Sequence, residues 1–599
     1  MSAGGGSGEA GGSRPGQPAG KPGDPGTSER WRLAPGERTI DPRTWAGGIA
    51  PSTGVAPRLR LPRGRWFNLL WLLPLGLALL VAGVALAKGL RTEPAVAHFI
   101  RQYSGTTTAN PSGGARGFPA WLRWQHFFNA LFLVFIIRAG WQILADHPRL
   151  YWTRHSTPGR EWLRFQKPVP DDPLWTAKQD SVSLPRHLGL PGLRHSIGLA
   201  RWWHLSFDVL WVLNGAVFYG LLFASGQWQR LVPGGWQVFP EAGSALLQYL
   251  SLQWPANHGW VAYNGLQLLA YFVTVFVAAP LAVLTGLGMS PALSTRFRLV
   301  SSPLSIQVAR SVHFLVMAWF VAFTVIHLGL VFTTGILTNL NHIYLGTNSG
   351  TWVGFWVFGA SLAVVIATWV AASPFTIRHP RVVQAVGQRL LGPLERAFEH
   401  LDPRAGQYAE KDISPYFWHN GKYPDSKEYR QLQEGGFSAY RLRIGGLVAH
   451  PQELGLEEIR ALPHHEQITQ HFCIQGWSGV ARWGGVAMSA IVDLVQPAPE
   501  ARWVAFYSLA AGPDGGAYYD AHPIGHMGHH LTMLAYDMNG EPLSFGHGAP
   551  LRLRNELELG FKQVKWIRAI EFVRDFSELG GGRGGYNEDH EFFGYRQAI

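Results

Sequence analysis

Cysteine is almost absent from this chain, since Cys473 is the only one among 599 residues. One thiol cannot form an intrachain disulfide, hold an iron–sulfur cluster through several cysteines or attach a c-type haem. A lone cysteine is most often a buried apolar residue. Any special role for Cys473 must therefore be argued from its neighbours in the sequence.

Apolar clusters are lacking in residues 1–60, which are rich in Gly, Pro and Ser. Such a segment cannot bury enough surface to offset its ordering entropy, so we expect a disordered tail. The layout of a signal peptide is also missing, and no twin-arginine pair precedes the first apolar run. We therefore expect the mature protein to begin where the sequence begins.

Acidic residues are fewer than basic ones, with 39 Asp and Glu against 51 Lys and Arg and a net charge of +12. Most of the basic residues lie in the tail and between long apolar segments, which is where the topology signals of membrane proteins lie. No basic patch interleaved with aromatics follows a nucleic-acid motif. The composition therefore predicts membrane lipid as a partner and no nucleic acid.

Six segments are long and apolar enough to cross a bilayer, which takes about 20 residues. Four contain no charged residue, one contains only Asp208, and one contains Arg123 and Arg138. The predicted spans are Phe67–Ala87, Trp121–Ala145, Trp202–Gln229, Trp260–Leu293, Ser311–Thr338 and Thr351–Ile377. We therefore predict an all-α transmembrane bundle within residues 61–377.

Four histidines lie inside these spans, where an imidazole is costly and usually marks function. His313 and His327 are fourteen residues apart on one helix, which places them on nearly the same face and about 21 Å apart. His204 falls at the depth of His313, and His126 at the depth of His327. This pattern predicts two haem groups, each between two imidazoles, and the alternative is hydrogen bonding between helices without haem.

Other polar residues of the bundle have weaker assignments. Arg123 and Arg201 each precede a predicted ligand by three residues, so they are candidates for pairing with haem propionates. His258 and His342 fall in predicted loops, where we expect solvated or interfacial side chains. A quinone site at these two histidines is the alternative interpretation.

This layout resembles the di-haem cytochrome b subunits of formate dehydrogenases, nickel–iron hydrogenases and thiosulfate reductases over residues 118–375. The resemblance implies two haem b groups and a quinone or quinol partner. It also implies four iron ligands, namely His126, His204, His313 and His327. The first span is extra relative to that family, so its role stays open.

After residue 377 the hydrophobic runs shorten. Residues 378–411 have the pattern of a basic, partly helical linker, and residues 412–599 alternate between strands and loops. The strand candidates include Tyr440–Val448, Leu551–Leu559 and Val564–Val573, and Leu454–Leu462 is a short helix candidate. We therefore predict a multi-domain protein whose C-terminal domain is α+β.

Three stretches of this domain carry its chemistry. They are HFCIQGWS at 471–478 with RWGGV at 482–486, MNGEPL at 538–543 with GHGAPLR at 546–552, and GFKQVKWI at 560–567. In this order and spacing they resemble the sulfite oxidase superfamily, the molybdopterin-dependent enzymes whose metal takes one protein thiolate. The resemblance covers about residues 412–575.

The resemblance implies that Cys473 is the catalytic residue and binds molybdenum, for which a soft thiolate is a natural ligand. A pterin cofactor carries a phosphate or a nucleotide, which calls for Arg, Lys and N–H donors. The implied cofactor contacts are His547, Arg552, Gln563, Val564 and Lys565, with Ser508, His419 and Asn420 as further ones. Without the resemblance, Arg552 and Lys565 would be ordinary solvated charges.

The chain also departs from the sulfite oxidases. Those enzymes place arginines around the substrate anion, and the matched positions here hold His419 and Ser478, which argues against sulfite as the substrate. Few residues follow the third motif, so we expect no immunoglobulin-like domain of the kind that sulfite oxidases carry. The chain resembles a covalent version of the methionine-sulfoxide reductase catalytic subunit and its separate haem partner.

A group of histidines, His522, His526, His529 and His530, invites a zinc interpretation. Its spacing fits no standard zinc pattern, and it lacks cysteine. We therefore expect a loop near the molybdenum centre.

These observations predict a molybdopterin-dependent oxidoreductase of the inner (plasma) membrane. It would pass electrons between the quinone pool and a small substrate, such as an S-oxide or N-oxide, through two b haems. One alternative is the oxidation of a small sulfur-containing anion with reduction of quinone. The other is an electron conduit without turnover, against which the intact Cys473, Arg552 and Lys565 argue.

Lys and Arg near the span ends favour the cytoplasm, which predicts a cytoplasmic molybdenum domain. With six spans, the richer side holds both termini and the loop from 146 to 200. Its basic residues include Arg58, Arg60, Arg63, Arg65, Arg296, Arg298, Arg378 and Arg381. The opposite side has Arg91, Arg101 and Arg116 in its first loop, Arg230 in its second and none in its third.

Overall fold

The computed structural model describes residues 56–106, 117–182, 184–192, 197–255, 259–296, 305–399, 408–512 and 516–595. Most of the predicted disordered tail, and the predicted loop residue His258, lie outside these ranges. Within them, six helices are long and apolar enough to cross a membrane. These spans are Leu69–Leu90, Ala120–Asp146, Ile197–Ala224, Gly265–Gly288, Ile306–Thr333 and Val353–Arg378. The six predicted spans are thereby confirmed.

The fifth span begins five residues earlier than predicted. The side chain of Ser305 accepts a hydrogen bond from the N–H of Val308 and caps the helix, as serine commonly does at a helix start. The added turn carries Gln307 and Arg310, which the hydropathy pattern assigned to a loop. The membrane-facing part of the helix is therefore preceded by a polar first turn.

Arg138 explains how the second span accommodates a charge in its middle. Its guanidinium donates to the carbonyls of Trp369 at 2.5 Å and Arg186 at 2.5 Å, and to the hydroxyl of Ser373 at 2.7 Å. A buried charge is tolerated when its donors are satisfied. Arg138 thereby fastens the second span to the sixth and to the loop before the third.

The segment before the first span is folded onto the loop between the second and third spans. Four short strands, β1 (Arg58–Arg60), β2 (Trp66–Asn68), β3 (Arg149–Leu150) and β4 (Leu163–Arg164), form one sheet in the order β2-β1-β4-β3. The disordered tail predicted to reach residue 60 is therefore too long at its C-terminal end. Composition missed this strand because its stability comes from pairing with β4, about a hundred residues away.

In its described residues, the C-terminal domain has ten strands in two sheets. They are β5 (Arg441–Gly446), β6 (Gln452–Gly455), β7 (His464–Phe472), β8 (Ser478–Ala487), β9 (Trp503–Ala511), β10 (Ala517–Pro523), β11 (Thr532–Met538), β12 (Glu541–Pro542), β13 (Arg552–Asn555) and β14 (Ile567–Val573). One sheet has the order β10-β9-β14-β5-β6; the other has the order β12-β11-β8-β7, with β13 paired to β11. Its longer helices are Lys427–Glu434 and Met488–Val495.

The main core of this domain draws on both sheets. Leu442 and Ile444 of β5 point inward, as the predicted alternation requires, and they share a buried cluster with Val486, Phe506 and Leu534. Complete burial of such side chains stabilises a fold by about 1.5–3 kcal/mol each. The C-terminal part therefore has a core of its own.

A second buried cluster joins the two parts of the chain. Ala177, Ile197 and Ile306 come from the membrane part, and Trp418, Phe472, Cys473, Ile474 and Trp477 from the C-terminal domain. Beside this cluster, the indole N–H of Trp202 in the third span donates to the carbonyl of Phe592 at 2.8 Å. The domain thus packs on the end of the bundle where the third and fifth spans begin. The helix Pro380–Glu399 connects the two parts.

Candidate functional site

The four membrane histidines meet in the pairs expected from their depths. The ring centroids of His204 and His313 are 6.4 Å apart, and those of His126 and His327 are also 6.4 Å apart. A bond from an imidazole nitrogen to a metal is about 2.0–2.1 Å, so two such bonds and the intervening half-rings span about 6.3 Å. Each pair is therefore spaced to hold one iron ion between two imidazoles.

Hydrogen bonds orient one of these pairs. The Nδ1–H of His204 donates to the carbonyl of Ile136 at 2.9 Å. Nδ1 of His313 lies 2.9 Å from the hydroxyl of Thr285, which itself donates to the carbonyl of Leu281. With Nδ1 as the donor in both rings, the Nε2 lone pairs are left for a metal, which is the usual arrangement of a ligating histidine. Nε2 of His204 also lies 3.6 Å from the carboxylate of Asp208.

The second pair is lined by aromatic rings and lies near a basic residue. The His327 ring stacks on the Phe323 ring with their centroids 5.4 Å apart. The Tyr271 ring packs edge-on against His327, with the centroids 5.9 Å apart. Arg123 donates to the carbonyl of Tyr344 at 3.1 Å, while its Nε has no partner among the described residues. This free donor fits the expectation that Arg123 pairs with a haem propionate.

His342 differs from the expectation of a solvated or interfacial residue. Its side chain is 5% exposed, its Nε2 lies 2.8 Å from Oδ1 of Asn348, and its ring stacks on Phe118 at 5.6 Å. The sequence pattern missed this burial because the helical turn Asn341–Leu345 follows the fifth span without a clear apolar period. His342 is thus an ordinary packed histidine with a side-chain partner.

Cys473 follows β7 in a tight turn that closes with two backbone bonds. The N–H of Gly476 donates to the carbonyl of Cys473 at 2.9 Å, and the N–H of Cys473 donates to the carbonyl of Trp477 at 3.0 Å. Gly476 has a φ of +101°, a conformation that favours glycine. The turn therefore holds the thiol in one orientation.

The thiol of Cys473 is buried beside two amide side chains. Nδ2 of Asn420 lies 3.5 Å from Sγ, and Oε1 of Gln475 lies 3.9 Å from it. Burial raises the pKa of the thiol to about 12. A bound cation would reverse this preference, since a metal ligates the thiolate.

A group of buried basic side chains lies next to this thiol. Lys565 donates from Nζ to the carbonyls of Asn420 at 2.5 Å and Gly546 at 3.1 Å, and the rings of His419 and His547 are 4.4 Å apart. Arg552 donates to the carbonyl of His547 at 2.9 Å. Four basic groups therefore share one pocket.

Burial lowers the pKa of each of these groups, and the positive charges nearby lower them further. The pKa of His419 falls to about 4, first because of burial and then because of Lys565. Like charges in one buried place disfavour the charged forms, and an anion bound among them removes that penalty. The pocket is therefore suited to a negatively charged group.

Two buried polar atoms of this region have no hydrogen-bond partner among the described residues: Oδ1 of Asn420 and Nε of Arg552. Buried polar atoms are normally paired. A soft thiolate ligand, a cluster of basic side chains and free polar atoms fit a metal cofactor that carries a phosphate. The residues present thus fit the cofactor that the sequence predicts.

Three of the predicted contact residues lie behind this pocket. The hydroxyl of Ser508 donates to the carbonyl of Lys565 at 2.7 Å, and the amide of Gln563 donates to the carbonyls of Asn555 and Glu558 at 3.0 and 3.1 Å. Val564 is fully buried in the main core. Ser508 thus supports the backbone of Lys565, whereas Gln563 holds the loop from Asn555 to Glu558.

Sequence reasoning missed Arg554 and His471. A guanidinium nitrogen of Arg554 donates to Nδ1 of His471 at 2.9 Å, and both side chains are buried. Arg552 and Arg554 both lie over the ring of Trp483, at 4.7 and 4.3 Å. Alternate residues of a strand share a face, so the Arg-Leu-Arg pattern of β13 was the signal that could have found Arg554.

Two of the histidines at 522–530, His522 and His526, form hydrogen bonds with Asn555. Both ring nitrogens of the buried His522 are used, by the carbonyl of Lys562 at 2.9 Å and the amide of Asn555 at 2.9 Å. The same amide lies 3.2 Å from Nδ1 of His526. In the part of the chain that the structure describes, no group of three or more His, Cys, Asp or Glu could hold a metal ion.

Two family models match the chain, one in each part. The model described as oxidoreductase molybdopterin binding domain matches residues 430–578. The model described as prokaryotic cytochrome b561 matches residues 117–344. Both resemblances drawn from the sequence are thereby confirmed.

Curated relatives match parts of the chain. The "Putative protein-methionine-sulfoxide reductase subunit YedZ1" of Azospira oryzae is 30% identical over 185 residues, which cover 31% of this chain and 64% of the relative. The protein-methionine-sulfoxide reductase catalytic subunit MsrP of Xanthomonas axonopodis pv. citri is 31% identical over 182 residues, covering 28% of this chain and 56% of the relative. This chain thus spans only 56–64% of the length of these two relatives.

A third relative is covered more fully. The uncharacterized oxidoreductase YuiH of Bacillus subtilis is 31% identical over 149 residues, which cover 25% of this chain and 72% of the relative. The chain therefore belongs to the oxidoreductases with a molybdopterin-binding domain, here joined to a prokaryotic cytochrome b561 domain, and it is a multi-pass membrane protein that uses molybdopterin and haem b.

Proposed function

We propose that this protein reduces a small S-oxide at its molybdenum centre with electrons that quinol delivers through two b haems. The proposal rests on two features of the same chain. Two histidine pairs have the ring spacing that an iron ion between two imidazoles requires, and a buried thiol lies in a pocket of basic side chains. The methionine-sulfoxide reductase names of two relatives support an S-oxide as the substrate class. We assign residues 61–377 to the haem domain, 378–411 to the linker and 412–599 to the molybdenum domain.

The residues of the chain have distinct parts in this reaction. Cys473 would hold the metal, and Arg552, Lys565 and His547 would bind the anionic group of the cofactor, while Asn420 orients the thiol. When bound, the cofactor supplies a centre that accepts an oxygen atom and exchanges two electrons. The net reaction takes an S-oxide, two electrons and two protons to a thioether and water, and the oxidation of one quinol to quinone provides those electrons and protons.

A neutral substrate is favoured over a small anion. Ser478, at a position where sulfite oxidases carry an arginine, accepts a hydrogen bond from Gln307 at 3.1 Å and is 1% exposed. His419, at the other such position, has a pKa of about 4 and is neutral near pH 7. Both changes remove a positive charge that a sulfur-containing anion would need.

Direct reoxidation of the haems tests the substrate and the direction of electron flow. The purified protein is first reduced anaerobically with a quinol analogue. We then expect methionine sulfoxide to reoxidise the haems at least as fast as the enzyme turns over in steady state. Trimethylamine N-oxide provides the N-oxide comparison, and sulfite added to the oxidised protein tests the reverse direction. Reduction of the haems by sulfite, without any reoxidation by S-oxides, would support the alternative oxidase.

We further propose that the molybdenum domain faces the cytoplasm. β1 and the C-terminal domain adjoin the same loop between the second and third spans, and basic residues are concentrated on that side. Green fluorescent protein fused after Ile599 should therefore fluoresce, and alkaline phosphatase fused there should be inactive. The same reporters inserted after Gly234, between the third and fourth spans, should behave in the opposite way. Active phosphatase after Ile599 would contradict the cytoplasmic placement.

A further inference from the structure

The turn that carries Cys473 is bound on several sides by the membrane part of the chain. The amide of Gln475 donates to the hydroxyl of Ser181 at 3.3 Å. The N–H of Ser478 donates to the hydroxyl of Ser156 at 3.1 Å. Both serines belong to the loop between the second and third spans. The predicted metal ligand therefore lies at the junction of the two domains.

The first turn of the fifth span makes the central contact with this turn. The side chain of Gln307 is fully buried, and its Nε2 donates to the carbonyl of Gly476 at 3.0 Å and to the hydroxyl of Ser478 at 3.1 Å. One amide thus binds both ends of the Gly476–Ser478 segment. Its Oε1 in turn lies 3.3 Å from a guanidinium nitrogen of Arg310.

Arg310 closes the other side of the junction. Its guanidinium donates to the carbonyls of His147 at 3.0 Å and Arg149 at 3.4 Å. The same group covers Gly476, where an added Cβ would lie 3.1 Å from the guanidinium carbon. Arg310 thereby holds the end of the second span, the fifth span and the Cys473 turn together.

The same helix leads from this contact to a predicted haem ligand. His313 follows Gln307 by six residues, which corresponds to about 9 Å along a helix axis. His204, the partner of His313, lies two residues after Trp202, whose indole also contacts the C-terminal domain. The contact between the Cys473 turn and the fifth span thus provides a covalent and hydrogen-bonded route between one histidine pair and the thiol.

We propose that Gln307 and Arg310 are positioning residues, which fix the Cys473 turn against the fifth span so that electrons pass from the haem at His204 and His313 to the molybdenum centre. This inference rests on the proposed function. Each transfer oxidises one ferrous haem to ferric and adds one electron to the oxidised cofactor, so two transfers serve each S-oxide. The junction is buried, and its fixed geometry sets the distance that each electron crosses.

A pair of glutamine variants tests the proposal in the full-length holoenzyme. Gln307→Ala removes both bonds to the Cys473 turn. Gln384→Ala is the matched control, because Gln384 is also buried and donates across the same junction, to the carbonyl of Phe593 at 2.6 Å, without touching the turn. For each protein, the rate at which methionine sulfoxide reoxidises the prereduced haems is compared with turnover driven by reduced benzyl viologen, a small donor that reaches the cofactor directly.

In Gln307→Ala, haem reoxidation should slow by up to about tenfold, since losing two ordinary hydrogen bonds lowers the equilibrium constant for the docked arrangement by about that factor. Viologen-driven turnover and the absorption spectra of the haems should match the wild type. Gln384→Ala should reoxidise its haems at the wild-type rate. Ser478→Ala removes only one of the two acceptors of Gln307, so it should slow haem reoxidation less. It replaces Gln307→Ala as the test if that variant does not fold.

Two results would overturn the inference: unchanged reoxidation in both Gln307→Ala and Ser478→Ala, or an equal slowing in Gln307→Ala and the Gln384→Ala control. Equal slowing would mean that the junction matters only as general packing. A failure of the proposed function looks different, because the wild-type protein itself would then show no viologen-driven reduction of methionine sulfoxide.

Discussion

Replacement of Cys473 by serine is expected to reduce turnover by more than about 100-fold, because changes to groups that merely surround a metal ligand already cost about 10–100-fold. Serine has nearly the same size, and the backbone bonds that close the turn do not involve the side chain. The variant should therefore fold and keep its haems. Steady-state reduction of methionine sulfoxide and the electron paramagnetic resonance signal of the metal measure the effect.

A graded variant strengthens this experiment. Asn420→Ala removes the amide that lies 3.5 Å from the thiol and should cost about 10–100-fold while leaving the metal bound. The haem spectrum is the internal control for folding in both variants. Wild-type turnover and an unchanged metal signal in Cys473→Ser would remove this residue as the ligand.

His313→Ala and His327→Ala are each expected to lose one haem, and the lost haem should differ between them. Each histidine belongs to a separate pair with a ring spacing of 6.4 Å, so each variant removes one of the two imidazoles that would hold one iron. Haem content, measured as the pyridine haemochrome, should fall from two to one per chain. Quinol-driven turnover should fall to background in both variants.

His342→Ala is the matched control for these variants. His342 is buried and has a side-chain partner in Asn348. It is not one of the paired histidines, so it is not predicted to bind haem iron. This variant should keep both haems. A ligand variant that retains both haems would show that the fourteen-residue pairing is wrong.

Local sequence features were sufficient to predict the architecture. Six uncharged or nearly uncharged runs predicted six spans because a bilayer core imposes its length on any helix that crosses it. The helical period placed His313 and His327 on one face, and span direction predicted their partners. The three motifs 471–486, 538–552 and 560–567 predicted the molybdopterin domain, which the family match confirms. The assignment of individual site residues stays a prediction.

Helix ends and individual contacts were harder to predict from the sequence. The fifth span was predicted to begin at Ser311 because Arg310 is charged, but the helix begins at Ile306. Hydropathy cannot recognise a polar first turn whose donors are satisfied by another part of the chain. Arg138 is a second charged residue whose donors are satisfied by another part of the chain. It donates to carbonyls of the sixth span and of the loop before the third.

The sequence by itself determined the two domain types and the six spans, because each depends on composition, period or a local motif. Only the tertiary structure decided how the two domains meet. The bonds from Gln307 to Gly476 and Ser478 join residues about 170 positions apart, and the pairing of β1 with β4 joins strands about a hundred apart. Such contacts depend on how whole helices and strands are oriented relative to one another. The packing of the buried cluster around Ile306 and Cys473 sets that orientation, and no local sequence pattern predicts it.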